Sequence, residues 1–324
     1  MELTNHTIYP AQLFRTIVDE DIIAAALMAR VTFDCKANVA VVSEQQEWPV
    51  SRAPWESPYG PMGDDNIFMR GGVDLFIFGS AKAPGGKPVT QMDVKVFLNN
   101  NLLNAVAVFG NRSWKSGMFG FSIEGPEAFT EMPLTLGTAY GGCAEWDGLK
   151  IPFPNNAHGK GFIWKKEDVD AVSLPNLENP KNLIKKWSDQ PDPVGFGYCP
   201  LSELKARNNV EKDSHGQITN ILPRFYNASF PSMIVDKVKP GDIIKVEGVT
   251  TNGRYEFIIP SFSLAAKMIM GDVQEEKELF IDQVGIIPEK QQAFISYRFP
   301  FRYKLKPMEV RYCELISIPD KKTD

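Results

Sequence analysis

The chain has 324 residues, enough for one large domain or two closely packed lobes, and carries 25 Gly, 24 Pro, 21 Phe and a formal net charge of -5. A mildly acidic chain without a Lys/Arg stripe argues against nucleic acid as a partner. Four widely spaced cysteines (Cys35, Cys143, Cys199, Cys313), with no C-x-x-C pair, suit a reduced compartment better than a zinc site or a disulfide framework.

The amino terminus, MELTNHTIYP, has no basic n-region, and the longest apolar run, Ile22 to Ala29, closes at Arg30. Neither a signal peptide nor a membrane insertion is expected, and the predicted location is cytoplasmic. Residues 12–20 and 22–35 read as strands. The alanines of 22–29 also suit a helix, but the run continues into Val31, Thr32 and Phe33, which prefer a pleated surface. A short break near Lys36 to Asn38 predicts a hairpin into residues 37–44. Residues 47–65 hold four prolines, two tryptophans and a tyrosine, the composition of an ordered loop pinned by its rings.

Residues 74–83 follow as a strand, and residues 90–110 as a hairpin. In that hairpin Met92, Val94, Val96 and Leu98 alternate with polar partners, and Asn99 to Asn101 supply the positive φ of a tight turn. The middle, residues 110–235, is rich in turn signals. It contains two predicted short helices, one opening at Pro180 (PKNLIKKWS) and one at Pro200 with Ser202 (PLSELKARNN). Strands return at 242–250 and 254–260, flanking a TNG turn, and at 277–288, 291–301 and 308–318. No fixed-period repeat marks a domain cut. The expected fold is mainly β: two packed antiparallel sheets or β-sandwich lobes, with a long loop-rich middle and a few short helices. A single domain is expected, with lobes 12–110 plus 235–318 around a middle of 111–234.

Few constellations suggest chemistry. A Walker A loop ending at Gly86-Lys87 would need Gly where Ala81 stands and a hydroxyl where Pro88 stands, and a strand follows instead of a helix. His6, His158 and His215 are scattered, and neither a G-x-S-x-G elbow nor an H-E-x-x-H motif exists. Glu124, Glu127, Glu145 and Asp147 lie near Tyr140 and Trp146, but spacing within a loop does not set the carboxylate separation that a glycosidase needs. No catalytic residue, metal ligand or cofactor is predicted. The corner VFGNRSW, residues 108–114, reads as a strand end and a tight turn, with Arg112 bonding inside the protein and Trp114 packing on something apolar. The rival reading of that corner is ligand contact. LPNLENP, residues 174–180, reads as a loop stapled onto the sheet.

Taken in order, VTFD (31–34), GSAKAPGGKPV (79–89), VFGNRSW (108–114), MPLTLGTAYGG (132–142), NAHGKGF (156–162), LPNLENP (174–180) and PDPVGFG (191–197) resemble a bacterial family of unassigned domains. That family is found with type VI secretion genes, beside valine-glycine-repeat spike and PAAR-like tip proteins. The similarity runs from about residue 12 to about residue 318. The resemblance implies an adaptor or chaperone that binds a secreted effector, a PAAR-like tip or a spike protein and helps load it for secretion; it carries over no catalytic residues.

The shared motif positions, Gly110, Asn111, Arg112, Trp114, Gly141, Gly142, Asn156, Gly159, Gly161, Pro175, Asn176 and Glu178, are read as structural. Asn111 where Asp is usual, Ala157 where Pro is usual and Leu204 where Trp is usual mark a divergent member. Two binding routes are expected: a sheet edge that accepts a strand, or a groove lined by Trp48, Trp55, Tyr59 and Trp114. The alternatives are a hydrolase acting on a cell-wall polymer and a structural subunit of the secretion apparatus.

Overall fold

The computed structural model describes residues 1–36, 39–199, 209–306 and 308–318. The protein is mainly β, built from several packed sheets, some antiparallel and some mixed. The largest sheet has seven strands. Its order runs Ala11–Asp19, Ile22–Lys36, Gln292–Lys304, Phe280–Ile287, Val73–Ile77 and Ile234–Val235, with Val39–Val42 paired to the far end of Ile22–Lys36. A five-stranded antiparallel sheet runs Leu177–Glu178, Asn101–Phe109, Gln91–Leu98, Ile243–Glu247 and Arg254–Ile258. A four-stranded sheet runs Glu2–Asn5, Arg311–Ile318, Ser263–Met270 and Val273–Glu278. Three strand pairs among the described residues are parallel: Val73–Ile77 with Phe280–Ile287, Glu2–Asn5 with Arg311–Ile318, and the short pair Tyr140–Gly141 with Lys160–Gly161.

One apolar core joins the three sheets. Leu27, Val31 and Phe33 come from the largest, Val94, Val96 and Val106 from the five-stranded, and Leu264, Ala266 and Leu315 from the four-stranded. The loop-rich middle keeps a smaller core of its own around Trp114, Tyr140, Phe153 and Phe162.

Residues 23–33 of the strand Ile22–Lys36 are buried on both faces, which explains its continuous apolar run. Leu27, Ala29, Val31 and Phe33 face the main core, whereas Met28, Arg30 and Thr32 face the other side. On that second face one register row crosses four strands: Arg30 opposite Ser296, Ser296 opposite Gln283, and Gln283 opposite Asp74. All four side chains are buried.

Local chemistry sets several boundaries. The predicted hairpin at 90–110 forms, and its turn places Asn99 and Asn100 at φ 49° and 68°. The expected strand over 74–83 breaks at Gly79, φ 117°, into Val73–Ile77 and Ser80–Lys82, which join different sheets.

The helix expected from Pro180 does not form. Side-chain oxygens take the N–H groups a helix would use: Glu178 Oε2 accepts from Ile184 N at 2.7 Å, and Asp189 Oδ2 accepts from Lys185 N and Lys186 N at 2.9 and 2.8 Å. The helix expected from Pro200 lies outside the described residues. The helical elements that lie wholly within the described residues are 3₁₀ turns of three or four residues. Among the described residues no helix is long and apolar enough to cross a membrane.

Candidate functional site

A cleft of about 780 Å³ has walls that are loops from distant parts of the chain. One wall is the turn Pro58–Pro61 with Glu56. A second is Phe78–Ser80 with Glu289, and a third is Pro133–Gly137 with His158. The fourth is Gly195–Tyr198 with Phe230. Four of the seven motifs named above contribute: Gly79 and Ser80, Pro133 to Gly137, His158, and Gly195 to Gly197.

Two systems of buried arginines hold these walls. The proline-rich loop of residues 47–65 is fastened to the polar face of the largest sheet. Arg30 Nη2 donates to Asp65 Oδ1 at 2.8 Å and Gln283 Oε1 at 2.9 Å, its Nε donates to Ser296 Oγ at 2.8 Å, and its Nη1 donates to the Pro49 carbonyl. Arg298 Nε donates to Asp282 Oδ2 at 3.0 Å and its Nη1 to the Ile67 carbonyl at 2.7 Å. Arg70 reaches Asp282 at 3.1 Å and Asp74 at 3.2 Å. Asp74 also accepts from Asn227 Nδ2, Ala228 N and Ser229 Oγ at 2.9, 2.9 and 3.0 Å. Burial opposes the charge on Arg298 and holds its pKa below the usual value.

Rings stiffen the same wall. Trp48 stacks parallel to Tyr59 and lies 4.4 Å from Phe294, and Tyr59 lies 5.7 Å from Phe78. Burial raises the pKa of Tyr59 and of Tyr198, so both phenols stay neutral at physiological pH.

The third wall hangs on the VFGNRSW and LPNLENP motifs. Arg112 Nη2 donates to Glu178 Oε1 and, at 2.7 Å, to the Pro175 carbonyl, and its guanidinium lies 3.8 Å from the Phe109 ring centre. Asn176 Nδ2 donates to the Phe109 carbonyl at 2.9 Å, and Asn176 N donates to the Thr138 carbonyl at 2.8 Å. Thr138 Oγ1 in turn donates to the Pro133 carbonyl at 2.7 Å, so the chain of bonds ends on the cleft wall.

Asn156 Nδ2 supports the same loop through the Leu136 and Tyr140 carbonyls at 2.8 and 3.0 Å. Two motif glycines allow the close approaches this needs. A Cβ on Gly110 would sit 1.8 Å from the Glu127 carbonyl oxygen, and one on Gly141, φ 147°, would sit 2.1 Å from that of Asn156. A Cβ on Gly142, Gly159 or Gly161 would also come within 3 Å of a neighbour. Asn111 accepts from Asn176 through Oδ1 and donates to Glu127 through Nδ2.

The four rings expected to line one groove are distributed differently. Trp48, Trp55 and Tyr59 come together, with Trp48 5 % exposed, while Trp114, 3 % exposed, belongs to the separate core of the middle. Of the four, Tyr59 alone lines the cleft. The reason is the register of the hairpin Ser113–Gly117/Gly120–Glu124, which turns Trp114 and its partner Ile123 to the same face, inward at the Trp114 end.

Nor are the acids and histidine considered for hydrolysis gathered: His158 lines the cleft, whereas Glu145 lines a second pocket of about 390 Å³ with Cys143 and Lys160. Among the described residues no group of three His, Cys, Asp or Glu is placed to hold a metal ion.

The sequence reading missed Arg30, Asp65, Arg70, Asp74, Asp282, Gln283 and Arg298. A signal existed, since Arg30, Asp282, Gln283 and Arg298 interrupt otherwise apolar strand runs.

Fold and site together define a mainly β protein whose loops, braced by buried arginines, enclose one apolar cleft. Residues 19–298 match the family described as an uncharacterized protein conserved in bacteria (DUF2169), and the chain belongs to that family. No curated protein and no solved structure matches the chain.

Proposed function

We propose that this protein is a type VI secretion adaptor or chaperone that acts in the cytoplasm, binding an effector or its PAAR-like tip through the cleft and helping to load it onto the secretion spike. The observation that carries the reading is the origin of the cleft walls: four of the seven motifs by which the sequence resembles such adaptors meet there. The cleft volume of about 780 Å³ is within the range of a ligand site and suits a few side chains of a partner segment. Its lining is largely aromatic, aliphatic, proline and glycine, a surface that binds by shape and desolvation.

The test is co-expression with the neighbour-encoded effector and tip proteins. The wild-type chain is expected to co-purify with at least one of them. Thr135→Trp, which places a large ring on an exposed cleft position, should reduce recovery at least tenfold without lowering the unfolding temperature. Recovery of the wild-type chain alone would sink the adaptor reading.

A further inference from the structure

The charged groups on the cleft are all of one sign. Glu56 and Glu289 line it, and no lysine or arginine does. Glu289 has Lys82 at 3.4 Å, but Lys82 is held more closely by Glu131, at 2.6 Å, so one cation is shared by two carboxylates. The Glu56 side chain, on the short strand Trp55–Ser57, has no hydrogen bond or ion pair among the described residues. Apart from these acids, His158 and the hydroxyls of Tyr59, Ser80, Thr135 and Tyr198, the lining is apolar, with Phe78, Leu134, Leu136, Phe196 and Phe230. With the Glu56 side chain unpaired and Glu289 only partly neutralised, the cleft carries net negative charge, which attracts a cation and repels an anion. Gly137 and Gly197 leave main chain bare along the walls, with no neighbour closer than 3.6 Å to where a Cβ would stand, which lets a second backbone come close.

We infer that the cleft takes a peptide segment with apolar side chains and at least one lysine or arginine, the apolar groups filling the aromatic floor and the cation meeting Glu56 and Glu289. This rests on the adaptor reading for the occupant being a peptide; the sign of its charge comes from the lining. A segment with Asp or Glu at the corresponding place is rejected, because it would bring a third carboxylate to an apolar site.

Random dodecapeptides displayed on phage and selected on the immobilised full chain, with the Thr135→Trp chain as the counter-selection, test the chemistry. The expected result is enrichment of apolar sequences carrying Lys or Arg. A synthetic copy of the enriched peptide should bind the Glu56→Gln/Glu289→Gln chain about tenfold more weakly than wild type, and a copy with its basic residue changed to Glu should not bind. Both exchanged glutamates lie on the surface, and the unfolding temperature of each variant confirms that it is folded. Enrichment of neutral or acidic peptides, no enrichment, or undiminished binding to the double Gln variant would each overturn the inference. If the effector or tip protein still co-purifies in those cases, the adaptor reading stands without it. If basic apolar peptides bind but neither partner co-purifies, the adaptor reading falls and the cleft chemistry stands.

Discussion

The wall formed by residues 47–65 and the wall formed by residues 133–137 are both held by buried arginines, but with different redundancy. Behind the first, Arg30, Arg70 and Arg298 face Asp65, Asp74 and Asp282, and each arginine has further acceptors. Behind the second, Arg112 has one carboxylate, Glu178, and Glu178 must also hold Ile184 N. A buried pair of either kind is an insecure source of net stability, since desolvation offsets much of the attraction, but removing one partner of it is costly. The first wall should therefore respond to loss of its shared carboxylate with a global effect, and the second with a local one that reaches the cleft through Asn176 and Thr138.

The largest effect is expected at Asp282, which serves two arginines. Asp282→Ala should lower stability by about 3–5 kcal/mol or prevent folding, read by urea unfolding. A loss under about 1 kcal/mol would show that Asp65 and Asp74 take over and that the first wall is more redundant than the bond pattern indicates.

Next comes Arg112→Ala, expected to cost about 3 kcal/mol through the orphaned Glu178 and the lost contact with Phe109. A double-mutant cycle with Glu178→Ala should give a coupling energy of at least about 1 kcal/mol. Additive losses would mean that the two residues act separately. Faster amide exchange at Thr138 to Tyr140, with the largest sheet unchanged, would sharpen the contrast between a local and a global brace.

The smallest effect concerns Lys160, whose pKa is held below the ordinary lysine value by burial and then by the charge of Arg112. A lowered folded-state pKa means that the protonated side chain is disfavoured by folding. The penalty is present in full below the folded pKa and disappears as pH rises through the unfolded value of about 10.4. Lys160→Met should thus unfold at a slightly higher temperature than wild type at pH 7, with the gap closing toward pH 10.5. A gap that does not change with pH would assign the effect to packing.

How much of this was legible in the sequence depended on whether local chemistry or distant pairing decided each feature. Alternation and the Asn99-Asn100 turn fix the hairpin at 91–109 within twenty residues, and a sequence reading reaches it. The inward role of Arg112 was legible because a strand end followed by a tight turn leaves an arginine few places to go except a crowded loop.

The strand Val273–Glu278 was not, since all six of its residues are exposed and its pairing with Ser263–Met270 leaves no apolar alternation to read. The helix from Pro180 was misread because Asp189 and Glu178, which capture its N–H groups, flank the segment instead of lying in it. The cleft was out of reach for another reason. Its walls lie far apart in the chain, and only the register of the sheets brings them together.

The row Arg30, Ser296, Gln283, Asp74 has a consequence for how the strands find one another. Alanine-rich and aliphatic strands such as Ile22–Lys36 offer nearly equivalent neighbours at many alignments, because sliding by two residues returns apolar groups to the same face. A slide by two would carry Arg30 past Ser296, Gln283 and Asp65 and leave a buried guanidinium without acceptors. The polar row works as an alignment key: it penalises every offset but one, so the sheet assembles in the single arrangement that brings the cleft loops to the same place.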